Sequence, residues 1–231
     1  MNLYFLVEGK TERKLYPQWL NYLTPELTRV NFYDEIQQNS YYLFSGGGYP
    51  QLLDKPLQAS VEEINENGKY DYLVVVLDAD EVDLDERIDE VMARFGEGGL
   101  QLQKCKLKMI VQDKCLESWL LGNRVAFVRQ PQKAFLRDCV QFYDVGQHDP
   151  ELMGMPADYP ESPSKFHFAY LRAMLSERNV AYSKRTPASV VQASYLKQLE
   201  KRAADLPEQL RSFQSLLTFC QEIRQQTMED N

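Results

Sequence analysis

The sequence predicts an α/β fold: a mostly parallel four-stranded sheet flanked by helices, with a helical extension at the C-terminal end. Two observations carry this. Short apolar runs of strand length, Leu3 to Val7, Tyr41 to Phe44, Tyr72 to Leu77 and Lys106 to Val111, alternate with stretches of helical periodicity. The third run, Tyr-Leu-Val-Val-Val-Leu, is unbroken, as expected of a strand covered on both faces. The resulting order, βαβαβαβ, implies right-handed crossovers and parallel neighbours.

Taken in order, the first strand is followed by Thr11 to Leu23, where Leu15, Trp19, Leu20 and Leu23 fall near helical spacing and Pro25 ends the run. The second strand closes on Ser45, Gly46, Gly47 and Gly48. This triple glycine either cradles a phosphate or makes a tight turn, and the lack of a Walker lysine and hydroxyl favours the turn. A helix is predicted over Pro50 to Asn67, ending near Gly68, and an acidic one over Leu84 to Phe95. In the fourth strand Leu107, Met109 and Val111 alternate, and Cys115 to Gly122 reads as a short helix. Between Val125 and Ser164 five prolines and two glycines break the pattern, leaving one short helix near Gln132 to Tyr143. Helices over Lys165 to Arg178, Pro187 to Ala203 and Pro207 to about Gln225 close the chain, with a polar tail from Gln225. The expected domains are 1–125, the α/β core; 126–163, an irregular connector or lid; and 164–226, a C-terminal helical region.

At 231 residues and 44% apolar content the chain can bury a sizeable core. A net charge of −8 argues against a general nucleic-acid coat protein, whose affinity comes from basic residues. It leaves room for an enzyme acting on nucleic acid, because a metal-dependent site concentrates acid. Basic residues gather late in the chain, at Lys165, Arg172, Arg178, Lys184, Arg185, Lys197, Lys201 and Arg202, as a phosphate-facing surface or an ordinary solvated face. No apolar run approaches the roughly 20 residues of a membrane span, and Met1 to Val7 reads as a strand rather than a secretory signal. Cys105, Cys115, Cys139 and Cys220 lack metal-ligand spacing, so a cytoplasmic protein with reduced thiols is expected.

The chemistry lies where strands end. The first strand runs into Glu8 and Gly9, the third into Asp78, Ala79 and Asp80. Ligands of open α/β sheets bind beyond the carboxyl ends of strands, so adjacent strands would bring these three acids together. Clustered carboxylates are costly without a cation, and magnesium takes a few carboxylates with water completing its shell. Each acid alone is equally an ordinary strand-end carboxylate facing a helix N-terminus. Glu12, Glu81 and Asp83 read as helix-start charges or outer-shell ligands. Glu117, four residues after Asp113, is either a site residue or half of a structural pair. Lys10 and Lys114 either contact a scissile phosphate or offset nearby acid. His167, between Phe166 and Phe168, reads as a core or surface histidine rather than a base.

The pattern V-E-G-K-T-E after the first strand and L-D-A-D-E after the third resembles the Toprim domain, the catalytic core of topoisomerases, bacterial primases and OLD-type nucleases. Q-D-K-C-L-E-S-W-L-L-G, at 112 to 122, is similar to the N-P-x-F-E-x-W-L-L segment of small Toprim-like proteins such as the RloB-like group, found among bacterial defence and mobile-element genes. The likeness covers the first 125 residues, while the Y-S-K stretch at 182 to 184 is only loosely similar to those proteins' tails. It implies Glu8 as a general acid/base or metal ligand, Asp78 and Asp80 as the metal-binding D-x-D, and Glu117 as a further acid. Mg2+ or Mn2+ is the implied cofactor, and DNA or RNA, including tRNA, the implied substrate. An ABC-type or AAA ATPase encoded nearby is the implied partner in antiviral defence. A topoisomerase would need a tyrosine nucleophile on another domain, and none of the 14 tyrosines stands out. The rival readings are a non-catalytic module docking on an ATPase and a hydrolase of small nucleotides.

Overall fold

A computed structural model describes residues 1–229. Among the described residues five strands form one all-parallel sheet in the order β2-β3-β1-β4-β5. They are β1 (Asn2–Val7), β2 (Thr28–Arg29), β3 (Ser40–Ser45), β4 (Tyr72–Asp78) and β5 (Lys106–Gln112). The α/β expectation is met, with one strand more than the four predicted. That strand, β2, is two exposed polar residues on the edge beside β3, too short to leave an apolar pattern.

Alternation along the strands divides the core into two layers. Leu3, Phe5 and Val7 of β1, with Val74 and Val76 of β4, face α1 (Glu12–Leu23) and the C-terminal helices. Tyr4, Leu6, Leu73, Val75 and Leu77 face the other side, against α2 (Lys55–Asn67) and α3 (Leu84–Glu97). The chain leaving β1 therefore crosses one face and the chain leaving β4 the other. The rim between these two central strands is the switch point at which α/β sheets bind ligands.

The remaining helices are α4 (Leu116–Leu121), α5 (Ala134–Phe142), α6 (Pro163–Glu177), α7 (Ala193–Asp205) and α8 (Arg211–Glu229). All six residues of α4 are buried, so this short helix is the hub between sheet and C-terminal helices. Phe213 of α8 packs edge-on against both Trp19 and Trp119, with centroids 6.0 and 5.3 Å away. Such contacts add about 0.5–1.5 kcal/mol each beyond area burial. The two indole N–H groups are also satisfied, Trp119 donating to Ser212 Oγ at 2.7 Å and Trp19 to the Val190 carbonyl at 3.3 Å.

Several boundaries differ from the sequence reading, among them the start of α8, which lies at Arg211 rather than Pro207. Helix α2 begins at Lys55 after a separate 3-10 turn over Gln51–Leu53, because Asp54 is non-helical at φ −91° and ψ −120°. Helix α7 begins at Ala193 rather than Pro187: residues 187–191 form an isolated turn, and Gln192 is extended. The tail from Gln225 is helical to Glu229, and its last two residues lie outside the described residues. The proline-rich stretch is held in place, with Val145 and Met153 fully buried. Asp149 accepts hydrogen bonds from the amide of Leu210, and Glu151 from those of Ser212 and Phe213 at the start of α8. All four cysteines are buried and unpaired. Among the described residues no helix is long and apolar enough to cross a membrane.

Candidate active site

Register places the strand-end acids on one rim. Val7 pairs with Val76, so the next residue of β1, Glu8, lies beside the end of β4. Glu8 Oε2 accepts a hydrogen bond from the Asp78 amide at 2.9 Å, and Oε1 accepts one from the Tyr49 amide at 3.3 Å. The Tyr49 amide arrives there through the triple-glycine turn, where Gly47 and Gly48 have φ of +88° and +112° and Gly48 N–H donates to the Glu8 carbonyl. These glycines thus make the turn that seats Glu8.

Asp78 is buried, and its Oδ1 accepts from the Leu116 amide, the first of α4, at 3.1 Å. Asp80 and Lys114 both adopt left-handed backbone, φ +54° and +59°, and the Asp80 amide donates to the Lys114 carbonyl. The Asp80 carboxylate accepts from Ser164 Oγ at 2.9 Å, at the start of α6. Behind this loop the buried Arg87 donates to the Ala79 carbonyl at 2.9 Å and lies 3.7 Å above the Tyr49 ring, bracing both loops that flank Glu8.

Glu117 is 1% exposed. One carboxylate oxygen accepts from Tyr182 Oη at 2.9 Å; the other, Oε2, is buried with no hydrogen-bond partner, and the Lys184 ammonium is 3.8 Å from it. The Lys184 side chain is 58% exposed, so solvent screens this pair and it neutralises Glu117 weakly. Glu12, in the first turn of α1, is also buried. Gly9 makes room for it: a Cβ there would stand 2.6 Å from Glu12 Oε2.

The four acids act on one another. Burial pushes the Asp78 carboxyl well above its ordinary range, and the charges of Glu8, Glu12 and Glu117 add to the effect against Lys184. Glu12 is pushed up to about 7 by burial, with Glu117 and Glu8 contributing. Glu8 is raised by burial and by Asp80, while its two backbone amides pull the other way. The site is therefore an acid cluster short of positive charge.

These residues suit a hard divalent cation. All are oxygen donors, and the orphaned Glu117 Oε2 is a buried lone-pair donor amid like charge, a situation a cation relieves. Among the described residues no three His, Cys, Asp or Glu side chains already stand as a finished ligand set. The carboxylates are instead held by amides and a phenol, which fix their directions.

The remaining sequence candidates have other contacts. Lys114 turns to Asp113, 3.4 Å away, and Lys10 is exposed beside α1. Glu81 and Asp83 line an acidic cavity on the α3 side. His167 is fully buried between Ser118 Oγ and the Met153 carbonyl, each at 2.9 Å, and burial lowers its pKa to about 4, as befits a packed neutral ring. The late basic residues do not form one surface. Arg202 is buried and braces carbonyls, Arg178 caps Val125 and Phe127, and Lys184 joins the acids. Sequence reasoning missed the pairing of Tyr182 and Lys184 with Glu117, for which the Y-S-K stretch was the sole signal. Comparison of the chain with protein-family models, curated proteins and solved structures found no match.

Proposed function

We propose that this protein is a Toprim-type nuclease, a Mg2+- or Mn2+-dependent phosphodiesterase that cleaves DNA or RNA. The observation that carries the reading is Glu117 Oε2, a buried carboxylate oxygen without a hydrogen-bond partner, in one cluster with Glu8, Glu12 and Asp78. Asp78, Glu117 and Asp80 are the residues that would hold the cation, with Glu8 beside them. When bound, the ion supplies stabilisation of charge on a phosphoryl group and a more acidic water. Glu8, with its proton held more tightly by burial, is suited to deliver that proton to the departing oxygen. Lys184, half in solvent and half against Glu117, is placed to meet a phosphate oxygen. Tyr182 is kept protonated by burial and by Glu117, so it remains a donor that aims the carboxylate.

The place of such an enzyme in antiviral defence, with an ATPase partner, rests on the sequence resemblance alone. A docking module without activity is the second reading, favoured by the amide and phenol donors that already engage the Glu8, Asp78 and Glu117 carboxylates. Both are separated by a cleavage screen on plasmid, single-stranded DNA and tRNA with Mg2+ or Mn2+, comparing wild type with Asp78→Asn and Glu8→Gln. Metal-dependent cleavage lost in both variants is the expected result. Full cleavage by Asp78→Asn would refute the assignment, and metal binding without cleavage of any substrate would establish the module.

A further inference from the structure

A second feature lies beside the acid cluster, on the α1 side. A groove of about 860 Å3 between the start of α1, the edge strand β2 and the turn after Lys184 is lined by Lys10, Arg13, Lys14, Arg29 and Arg185. None of its lining residues is acidic, although the chain carries 34 acids against 26 lysines and arginines. All five side chains are exposed, and among the described residues none of them forms an ion pair. Five cations that repel one another without counter-charges are poised for a polyanion.

Its position links it to the acids. Lys10 follows Glu8 by two residues, and Arg185 follows Lys184, the residue at Glu117. The junction is tied where Thr11 Oγ donates to the Lys184 carbonyl at 3.4 Å and the Lys14 ammonium donates to the Arg185 carbonyl. The opposite flank has the reverse charge. A cavity of about 1110 Å3 there is lined by nine acids, among them Asp80, Asp85, Asp89 and Asp113, against the single cation Lys114. A polyanion reaching the site is repelled from the α3 side and attracted on the α1 side.

We propose that this groove is the seat of a nucleic-acid phosphate backbone, leading the strand into the carboxylate site; this rests on the nuclease reading above. Arginine and lysine without an aromatic partner in the lining engage phosphates and offer no platform for bases, so the groove binds without regard to sequence.

The test is fluorescence anisotropy of the whole protein in EDTA with labelled single-stranded DNA, duplex DNA and RNA of one length, over a salt series. Arg13→Glu with Arg29→Glu is compared with wild type and with Lys104→Glu, an exposed lysine of a separate crevice. The double variant should bind the preferred polymer at least tenfold more weakly. Its salt slope should fall by about 0.7–0.9 for each phosphate that is no longer neutralised. Lys104→Glu should match wild type. Equal affinity and slope in the double variant, an equal weakening in Lys104→Glu, or no binding by wild type would overturn the proposal. Should the edge-strand change lower thermal stability, Arg13→Gln with Arg185→Gln replaces it under the same criteria. Because binding is read without metal, a groove that binds in a protein that never cleaves leaves this inference standing and removes the nuclease. Cleavage and binding both indifferent to the groove variants would do the opposite.

Discussion

Glu12→Gln tests whether the acid cluster is held together against its own charge. The side chain is 7% exposed, and burial moves its carboxyl from an ordinary 4.5 to about 7. Between those values the folded protein holds a proton that the unfolded chain has released, so stability falls as pH rises through this window and levels off above it. At about 1.36 kcal/mol per pH unit, the cost above pH 7 is about 3 kcal/mol. Glutamine keeps the shape and removes the charge. The variant should equal wild type near pH 4 and be more stable at pH 8, by roughly 6–12 °C in thermal midpoint at about 2–4 °C per kcal/mol for a chain of this size. Differential scanning fluorimetry from pH 4 to 9 in EDTA reads this directly. A midpoint difference that does not change with pH would refute the assigned charge coupling.

Divalent cations should protect more at pH 8 than at pH 5, because protons on Glu8, Glu12 and Asp78 compete with the ion. At a hundredfold excess over Kd the gain is about 2.7 kcal/mol, and a thermal shift independent of pH would count against a carboxylate site. Glu117→Gln retains an acceptor for Tyr182 but loses its charge, so Mg2+ affinity should drop about 10- to 100-fold with little change in fold, measured by calorimetry; unchanged affinity would place the ion elsewhere. Arg202→Ala strips hydrogen bonds from the buried carbonyls of Gly122 and Val145 and from the partly buried one of His148, and should cost about 3–5 kcal/mol. A fall in midpoint under about 3 °C would contradict that account.

The sheet is legible because parallel strands covered on both faces must be apolar throughout, as Leu73 to Leu77 are, and because their ends must then carry the first polar groups. Glu8 and Asp78 follow from that logic. Glu12 reads as a helix-start charge, which it is; its burial depends on the clearance at Gly9, which no periodicity reveals. Tyr182 lies 65 residues from Glu117 in sequence, and nothing local announces such a meeting. Arg202 looks like one more charge on an exposed helix, yet it follows Leu199 by three and belongs to the inward stripe of α7 with Leu196 and Ala203. Its many donors pair with carbonyls, which leave no mark in the sequence.

The contact of Tyr182 and Lys184 with Glu117 joins segments of the chain that are synthesised at different times. The acids lie between positions 8 and 117, whereas the phenol and ammonium that meet Glu117 are made some 65 residues after it. A nascent chain released before that point would carry mutually repelling carboxylates and an unfinished centre. Competence would thus arrive only once Tyr182 and Lys184 have been added, and a ribosome-stalled fragment ending before Tyr182 that already bound Mg2+ as tightly as the whole protein would show otherwise.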